Sequence, residues 1–325
     1  MAAMKSFRGK LAIVTGGGTG MGRELTKQLV SEGCRVAICD VSAENMAETK
    51  QLAEALAIAG AVVTTHVCDV SNEPQVLAFR DAVVAQHATN HVNLLFNNAG
   101  IAGGGSFVLD DRAEWERTFG VCWYGVYYCA RAFMPLLIAS DEGYIVNTSS
   151  VNGFWASLGP SVSHTAYSTA KFAVKGFTES LMTDLRLNAP HVKAALVMPG
   201  HIGTSIIFNT AKVHGKPDAL AAPEQDVAQL RQMFARRGLP SDAFTDDQIR
   251  AVMHEMAVRF RDQAPVSAAQ AATTILDGVR TDTWRILVGE DAHALDKMVR
   301  ESPELAYEDA FTKALNDQGH MRMIE

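Results

Sequence analysis

A chain of 325 residues, 48% hydrophobic and 20% charged, has the balance of a globular protein and excludes wholesale disorder. Its length suits one large α/β domain or two small ones. A formal net charge of −7 without a basic stripe argues against nucleic acid, because phosphate binding needs clustered Lys and Arg.

Residues 1–10 are short and polar and lack the apolar core of a signal peptide, so a cytoplasmic protein is the expectation. Residues 11–14 read as a buried strand ending in a Gly-rich turn, and a helical pattern follows over 23–32. Residues 35–39 are strand-like and closed by Asp40, with Ser42 placed to cap a long helix through about Ala59. Further strands are predicted at 61–67, 93–96, 144–147 and 192–197, each separated from the next by a helical stretch. Short apolar strands alternating with helices predict βαβ units: a doubly wound parallel sheet, the Rossmann fold, covered on both faces. The longest apolar stretch, 121–139, contains Arg131 and Pro135; a bilayer would bury that arginine at a cost of several kcal/mol, so a buried core helix is predicted. Because this stretch is apolar nearly all round (Trp123, Tyr124, Val126, Tyr127, Tyr128, Phe133), it is expected to be buried on every side.

After Pro199 the rhythm breaks. From 205 to 265 no strand pattern is found, and helices are predicted at about 224–236 and 246–261, the second opened by the capping box Thr245-Asp-Asp-Gln248. Ser267-Ala-Ala-Gln270 opens another helix in the same way; 284–288 is a last strand, and 292–316 looks helical. No repeat or low-complexity tract interrupts the chain. The reading is one domain over 1–325 carrying a helical insertion at 205–265. The five cysteines form no C-x-x-C pair and no metal-ligand cluster, so no metal is expected and free thiols in a reducing compartment are.

Two groups of residues carry chemistry. Thr15-Gly-Gly-Gly-Thr-Gly-Met-Gly22 lies between the first strand and first helix, where backbone N–H groups and the helix N-terminus suit a pyrophosphate. A plain strand-to-helix turn is the alternative. Asp40 at the end of the second strand can accept from ribose 2′- and 3′-hydroxyls and would repel a 2′-phosphate. Thr19 and Val41 offer no basic side chain for such a phosphate, so NAD is preferred to NADP. For Asp40 the competing role is a helix cap, which Ser42 can fill. Downstream, Tyr167-Ser-Thr-Ala-Lys171 puts a phenol and an ammonium at i and i+4 on one helix face. A phenol with a pKa of about 10 is a poor base at neutrality, and lowering it by about 3 units takes roughly 4 kcal/mol of preferential phenolate stabilisation. A fixed lysine and a positive nicotinamide ring are sources of that stabilisation; an exposed helical pair is the alternative. Asn147-Thr-Ser-Ser150 ends a strand, so a serine hydroxyl there can polarise a carbonyl or alcohol oxygen in the same cleft.

TGxxxGxG at 15–22, Asn97-Asn-Ala-Gly100, Ser150, Tyr167-x-x-x-Lys171 and Pro199-Gly-His-Ile-Gly-Thr204 occur in the order found in the short-chain dehydrogenase/reductase family, which the chain resembles over about 8–204 and again near 284–289. The resemblance implies that Gly16, Gly18, Thr19 and Met21 line the cofactor and that Asp69 and Val70 hold the adenine. It further implies that Asn97, Ala99 and Gly100 line the adenosine ribose and support the central strand, and that Lys171 bonds the nicotinamide ribose. Pro199, Ile202 and Thr204 are expected to flank the nicotinamide. The implied reaction is hydride transfer between a secondary alcohol or ketone and the cofactor, with Tyr167 exchanging the proton and Ser150 orienting the oxygen. The resemblance also implies a homodimer or homotetramer formed through the 121–139 and Tyr167/Lys171 helices.

Two departures stand out. Cys122 occupies the position where the family usually has an asparagine whose amide steadies a local helix distortion; an inert buried thiol is the expected role and a reactive nucleophile the sharper one. The stretch between Ser150 and Tyr167 is longer than usual. Its apolar residues Phe154 and Trp155, with Met198, His201 and Phe208, suggest an apolar pocket for a bulky substrate; the alternative is that they pack the lid. His164 and His201 are candidates for substrate contact; the alternative is that, like most single histidines in loops, they make none. The expected function is an NAD-dependent oxidoreductase interconverting a hydrophobic secondary alcohol and its ketone, without nucleic acid or membrane partners. The alternatives are an NAD-binding regulatory protein with impaired catalysis, for which Cys122 is the only support, and a sugar-nucleotide epimerase or dehydratase, which fits the glycine spacing less well.

Overall fold

The computed structural model describes residues 4–159, 162–236 and 243–319. Regular structure begins with β1 (Leu11–Thr15), α1 (Gly20–Ser31), β2 (Arg35–Asp40), α2 (Ala43–Glu54), β3 (Val63–Val67), α3 (Glu73–Gln86) and β4 (Leu94–Asn97). It continues with α4 (Arg112–Phe119), a π-helical turn (Gly120–Tyr124), α5 (Gly125–Ile138), β5 (Gly143–Thr148), α6 (Thr165–Asn188) and β6 (Val192–Pro199). Seven parallel strands follow the order β3-β2-β1-β4-β5-β6-β9, where β9 is Arg285–Val288. The chain winds outward from β1 to β3, then returns to the centre to lay β4 against the other side of β1. Where this order reverses, the carboxyl ends of β1 and β4 leave a crevice, the usual ligand position in an open α/β sheet.

The strands are apolar on both faces because both faces are covered. One layer of buried side chains joins Val14, Ile38 and Val197 to α1, α2 and α10 (Ala268–Arg280), including Leu25, Leu29, Met46, Ile275 and Leu276. The other joins Ile13, Leu95 and Ile145 to α3, α5 and α6, including Phe79, Cys129, Phe133 and Leu185. All five cysteines are free and buried. Helix starts follow local chemistry. Ser42 accepts from the N–H of Asn45 at 3.2 Å to cap α2, and both capping boxes form: Thr245 with Gln248 at α9 (Asp246–Asp262), Ser267 with Gln270 at α10.

Two expectations are corrected. The second helix stops at Glu54, short of Ala59, and β3 begins at Val63; the chain crosses Gly60 at φ +94°, a left-handed turn that neither helix nor strand continues through. The tail is not one helix: α11 (Glu290–Glu301) breaks at Ser302-Pro303, because Pro303 disfavours helical geometry before it, and α12 (Asp309–Asp317) follows a short 3-10 turn. In the single chain the outer face of the 121–139 stretch stays open, with Tyr124, Tyr127 and Ile138 37–46% exposed.

Residues 205–265 carry α7 (Ile206–Val213), α8 (Glu224–Arg236) and α9. No strand lies between 205 and 265 among the described residues. Two-residue strands β7 (Ile202–Gly203) and β8 (Val266–Ser267) pair in parallel at the two ends of the segment and pin it to the sheet domain. Its own core is small: Val227, Phe234 and Ile249, with Leu230 and Val252 against them.

Candidate active site

The crevice beside β1 opens into a cleft of about 210 Å³ lined by Gly16, Thr19, Met21, Asp40, Asp69, Val70, Ala99, Gly100 and Thr204 among others. Glycines shape its floor. Gly16 has φ +65°, and a Cβ there would meet Ala99 Cα at 2.8 Å. At Gly22 a Cβ would stand 2.1 Å from the carbonyl oxygen of Gly16, so no side chain allows α1 to start so close to the turn. Gly18 donates its N–H to Asp40 Oδ2 at 3.0 Å, and Ser42 N–H donates to Asp40 Oδ1 at 3.1 Å. The carboxylate is thereby fixed at the cleft edge with lone pairs left over for further donors. Ser42, not Asp40, caps α2. Arg23 is not available to an anion in the cleft: it donates to Gly18 O at 2.8 Å and pairs with Glu48 at 2.6 Å. Asp69 accepts from Ser71 and pairs with Arg117 at 2.7 Å; although burial opposes its charge, these donors hold its carboxyl below the usual range.

The predicted catalytic residues converge at the next strand end. Ser150 follows β5 and is almost wholly buried, its hydroxyl accepting from the N–H of Asn152 at 3.1 Å. Tyr167 and Lys171 lie on α6, with the ammonium 5.3 Å from the phenol ring centre. Lys171 is 3% exposed and donates to the carbonyl of Thr148 at 2.9 Å, a bond that ties α6 to the end of β5. Ser149 adds a second tie, donating to Lys171 O at 2.7 Å. The start of α6 is held by the loop after β4: Thr165 and Ala166, whose N–H groups have no partner within the helix, donate to Gly105 O at 2.9 Å and Gly104 O at 3.0 Å. Burial pushes the Tyr167 phenol above its ordinary value, while the Lys171 charge and a hydrogen bond with Ser150 pull it back. The His164 ring lies 4.6 Å from the Tyr167 ring, and burial lowers that imidazole to about 4, keeping it neutral near pH 7.

Cys122 sits in the π-helical turn, so the helix distortion exists without an asparagine. Its thiol donates to Ile101 O at 3.1 Å and is fully buried, the inert role.

Several residues fall elsewhere than the sequence suggests. Asn97 is 1% exposed, and its amide donates to Asn147 at 2.8 Å between β4 and β5; it braces strands and does not line the cleft. Its neighbour Asn98 does, donating to Thr15 O at 3.1 Å and steadying the glycine turn. Strand alternation turns one Asn inward and the next outward, a signal present in the Asn-Asn pair. Pro199 closes β6 and the Ile202 side chain packs in the core at 5% exposure, so of this segment Thr204 is the residue whose side chain lines the cleft. Phe154, Trp155, Met198, His201 and Phe208 do not come together around one pocket among the described residues. Trp155 is buried against Phe311 and Leu315 and donates to Ala306 O at 2.6 Å; Met198 is in the core beside Val126 and Val174. The His201 ring lies tilted against Phe260, and Phe208 meets His254 edge-on. The long stretch after Ser150 is thus anchored by the C-terminal helices; residues 160 and 161 lie outside the described residues. Arg117, and Asn209, Lys212 and Val213 of α7, also line the cleft. Asn209 donates to Thr19 at 2.9 Å, which lays α7 across the glycine turn. No motif marks these residues; only the return of the insertion over the cleft brings them there.

This arrangement has close parallels. The short chain dehydrogenase family model matches residues 10–213. A Mycobacterium tuberculosis protein bearing the oxidoreductase name SadH is 36% identical over 297 residues, 91% of this chain and 92% of its own. Human dehydrogenase/reductase SDR family member 11 is 31% identical over 232 residues, 71% of this chain and 84% of its own. A Burkholderia phymatum short-chain dehydrogenase/reductase, crystallised in complex with NAD, is 29% identical and superposes with a TM-score of 0.73 over 94% of this chain and 98% of that one. The chain belongs to the short-chain dehydrogenase/reductase family of oxidoreductases.

Proposed function

We propose that this protein is an NAD-dependent dehydrogenase/reductase that interconverts a secondary alcohol and its ketone. The observation that carries the reading is the convergence of Ser150, Tyr167 and Lys171 beside the cleft that ends at Asp40. The cleft residues fit NAD: Gly16, Gly18, Thr19 and Met21 at the pyrophosphate, Asp40 on the adenosine ribose, Asp69 and Val70 at the adenine, and Ala99 and Gly100 beneath. At Gly16 and Gly22 a Cβ would strike the backbone of Ala99 and of Gly16, so glycine there lets the turn pack closely enough to bring its N–H groups and the start of α1 to a pyrophosphate. Thr204, whose methyl would lie 3.2 Å from a Cβ on Gly20, and the backbone of Pro199 and Ile202 wall the nicotinamide end. When bound, NAD supplies the hydride acceptor and a positive ring charge. Ser150 donates to the substrate oxygen and orients it. Tyr167 takes the hydroxyl proton in oxidation and returns it in reduction. Lys171, held by Thr148 O, keeps positive charge beside the phenol and offers its remaining protons to the nicotinamide ribose.

An apolar substituent on the substrate is supported by Phe107, Val108 and Leu109, exposed on the loop that grips the start of α6. Segment 205–265 acts as the lid of a single catalytic domain, a role supported by its pinned ends and the Asn209–Thr19 bond. The exposed α5 face and the neighbouring Phe172 of α6 support a homodimer or homotetramer. Five free thiols support a cytoplasmic setting. The rival reading, a cofactor binder with lost chemistry, rests on Cys122; the π turn formed without an asparagine counts against it.

The test is a screen of aryl, alicyclic and aliphatic secondary alcohols with NAD at alkaline pH, read by NADH absorbance. Tyr167→Phe is expected to lower turnover by roughly 10²–10⁴ while the NADH dissociation constant, read by fluorescence, stays within about twofold. Tyr167→Phe turnover equal to wild type would refute the proton-transfer role.

A further inference from the structure

The segment Pro199–Thr204 leaves the end of β6, and its partners in Val288, Asp291 and Phe260 lie outside the family motifs. Gly200 N–H donates to Val288 O at 2.9 Å, continuing the β6–β9 pairing by one residue. The next N–H, that of His201, would face the interior unpaired. It donates instead to Oδ2 of Asp291, in the first turn of α11, at 2.6 Å. The backbone makes space for this carboxylate at two points: a Cβ on Gly200 would meet Asp291 Oδ2 at 2.1 Å, and a Cβ on Gly289 would meet Oδ1 at 2.3 Å. Oδ1 is buried and has no hydrogen-bond partner among the described residues, so the carboxylate grips the segment through Oδ2. The His201 ring completes the anchorage. Its Nε2 lies 2.7 Å from the carbonyl oxygen of Phe260, one of the last carbonyls of α9, which lack helix partners, and the two rings lie tilted against each other with centroids 4.4 Å apart. Burial lowers the His201 pKa, which keeps the ring neutral with one N–H to give.

We infer that Asp291 is a positioning residue for hydride transfer. By holding the His201 N–H it fixes the segment that walls the nicotinamide, and through His201 it links that wall to α9. The inference rests on the reading that Pro199–Thr204 flanks the nicotinamide. A buried N–H left without its acceptor frees the segment to move by the fraction of an ångström that matters in a near-attack geometry.

Binding measurements test this without needing turnover. Asp291→Ala is expected to weaken NAD at least fivefold while ADP-ribose, which lacks the nicotinamide, stays within twofold. Asp291→Asn, which keeps an acceptor oxygen for the His201 N–H, is expected to stay within twofold for both. Where a turnover substrate is in hand, Asp291→Ala should lower kcat more than it raises KM for the alcohol, and the deuterium isotope effect on kcat should rise. Loss of folded protein alone would leave that isotope effect unchanged. If Asp291→Ala has no cooperative melt, Asp291→Ser, too short to reach His201, is expected to give the same selective loss. Equal weakening of NAD and ADP-ribose, or no change in either, would overturn the inference. Wild-type protein binding neither nucleotide would overturn the cofactor reading and this inference with it, whereas binding of NAD without turnover would overturn only the proposed reaction.

Discussion

The sheet domain and the 205–265 insertion are both made mostly of helices, yet they are held together differently. In the sheet domain each helix lies on strands buried on both faces, and the two core layers contain side chains from Met4 to Val288. In the insertion, α8 and α9 share a core of Val227, Phe234 and Ile249, and α7 has no buried residue at all. A region that buries little apolar surface has little free energy with which to oppose its own opening. The contrast therefore predicts a rigid half carrying the cofactor residues and a separately opening half reaching across them, and it can be broken at four points.

The largest effect is expected at the centre of the rigid half. Gly22→Ala places a methyl 2.1 Å from Gly16 O and 2.8 Å from Asn98 Nδ2. Backbone cannot yield as a flexible side chain does, so α1 must shift from the glycine turn. The cost is roughly 1–3 kcal/mol or more, seen as a melting temperature lower by about 2–10 °C and at least tenfold weaker NAD binding by calorimetry. A normal melt with normal binding would mean that the turn is not the tight cradle described.

Next comes Asp40. With Oδ1 and Oδ2 fixed by Ser42 and Gly18, its charge stands where a 2′-phosphate would arrive. Asp40→Ser is expected to shift the ratio of NADP to NAD affinity by about ten- to a hundredfold, or about 1.4–2.7 kcal/mol. An unchanged ratio in paired titrations would place the adenosine ribose elsewhere.

How far these features could be read from sequence follows the same division. The strands, the glycine turn and the Tyr167/Lys171 pair were legible because each depends on neighbours within a few residues: buried runs, a turn and an i, i+4 spacing. The capping boxes at Thr245 and Ser267 were legible for the same reason. Trp155 was not. Its composition suited a substrate pocket, but its partners Ala306 and Phe311 lie some 150 positions away. Asn209 and Lys212 reach the cleft only because β7 and β8 pair, a contact two residues long and without a pattern. Asn97 and Asn98 mark the boundary: the motif identified the pair, but which one faces the cleft depended on the register of β4.

A smaller effect separates the halves by acid. Burial against Phe79 pushes His66 down to about 4, with the nearby His87 charge adding to the shift. The folded chain then refuses a proton that the unfolded chain accepts near 6.5. The contribution of His66 to stability is therefore complete above about pH 6.5 and is lost as pH falls from there towards 4. Melting temperature should decline over that window, and His66→Gln should flatten the decline. An unaltered slope would assign the acid sensitivity to other groups.

The smallest effect tests the insertion directly. Thr245 accepts from the N–H of Gln248 at 3.3 Å while the Gln248 side chain accepts from the N–H of Thr245 at 2.8 Å. Thr245→Ala removes one arm of that box, at a cost of about 1 kcal/mol. If the insertion opens independently of the sheet, the loss is charged to local opening: amide exchange quickens about fivefold in the first turns of α9, and the main melting transition and NAD affinity stay where they were. If α9 is instead one cooperative unit with the sheet, held through His201 and Phe260, the same cost moves the whole transition down by about 2–4 °C and exchange elsewhere rises with it. Since α9 carries the carbonyl that receives the His201 ring, the outcome also decides whether that link is strong enough to make the two halves move together.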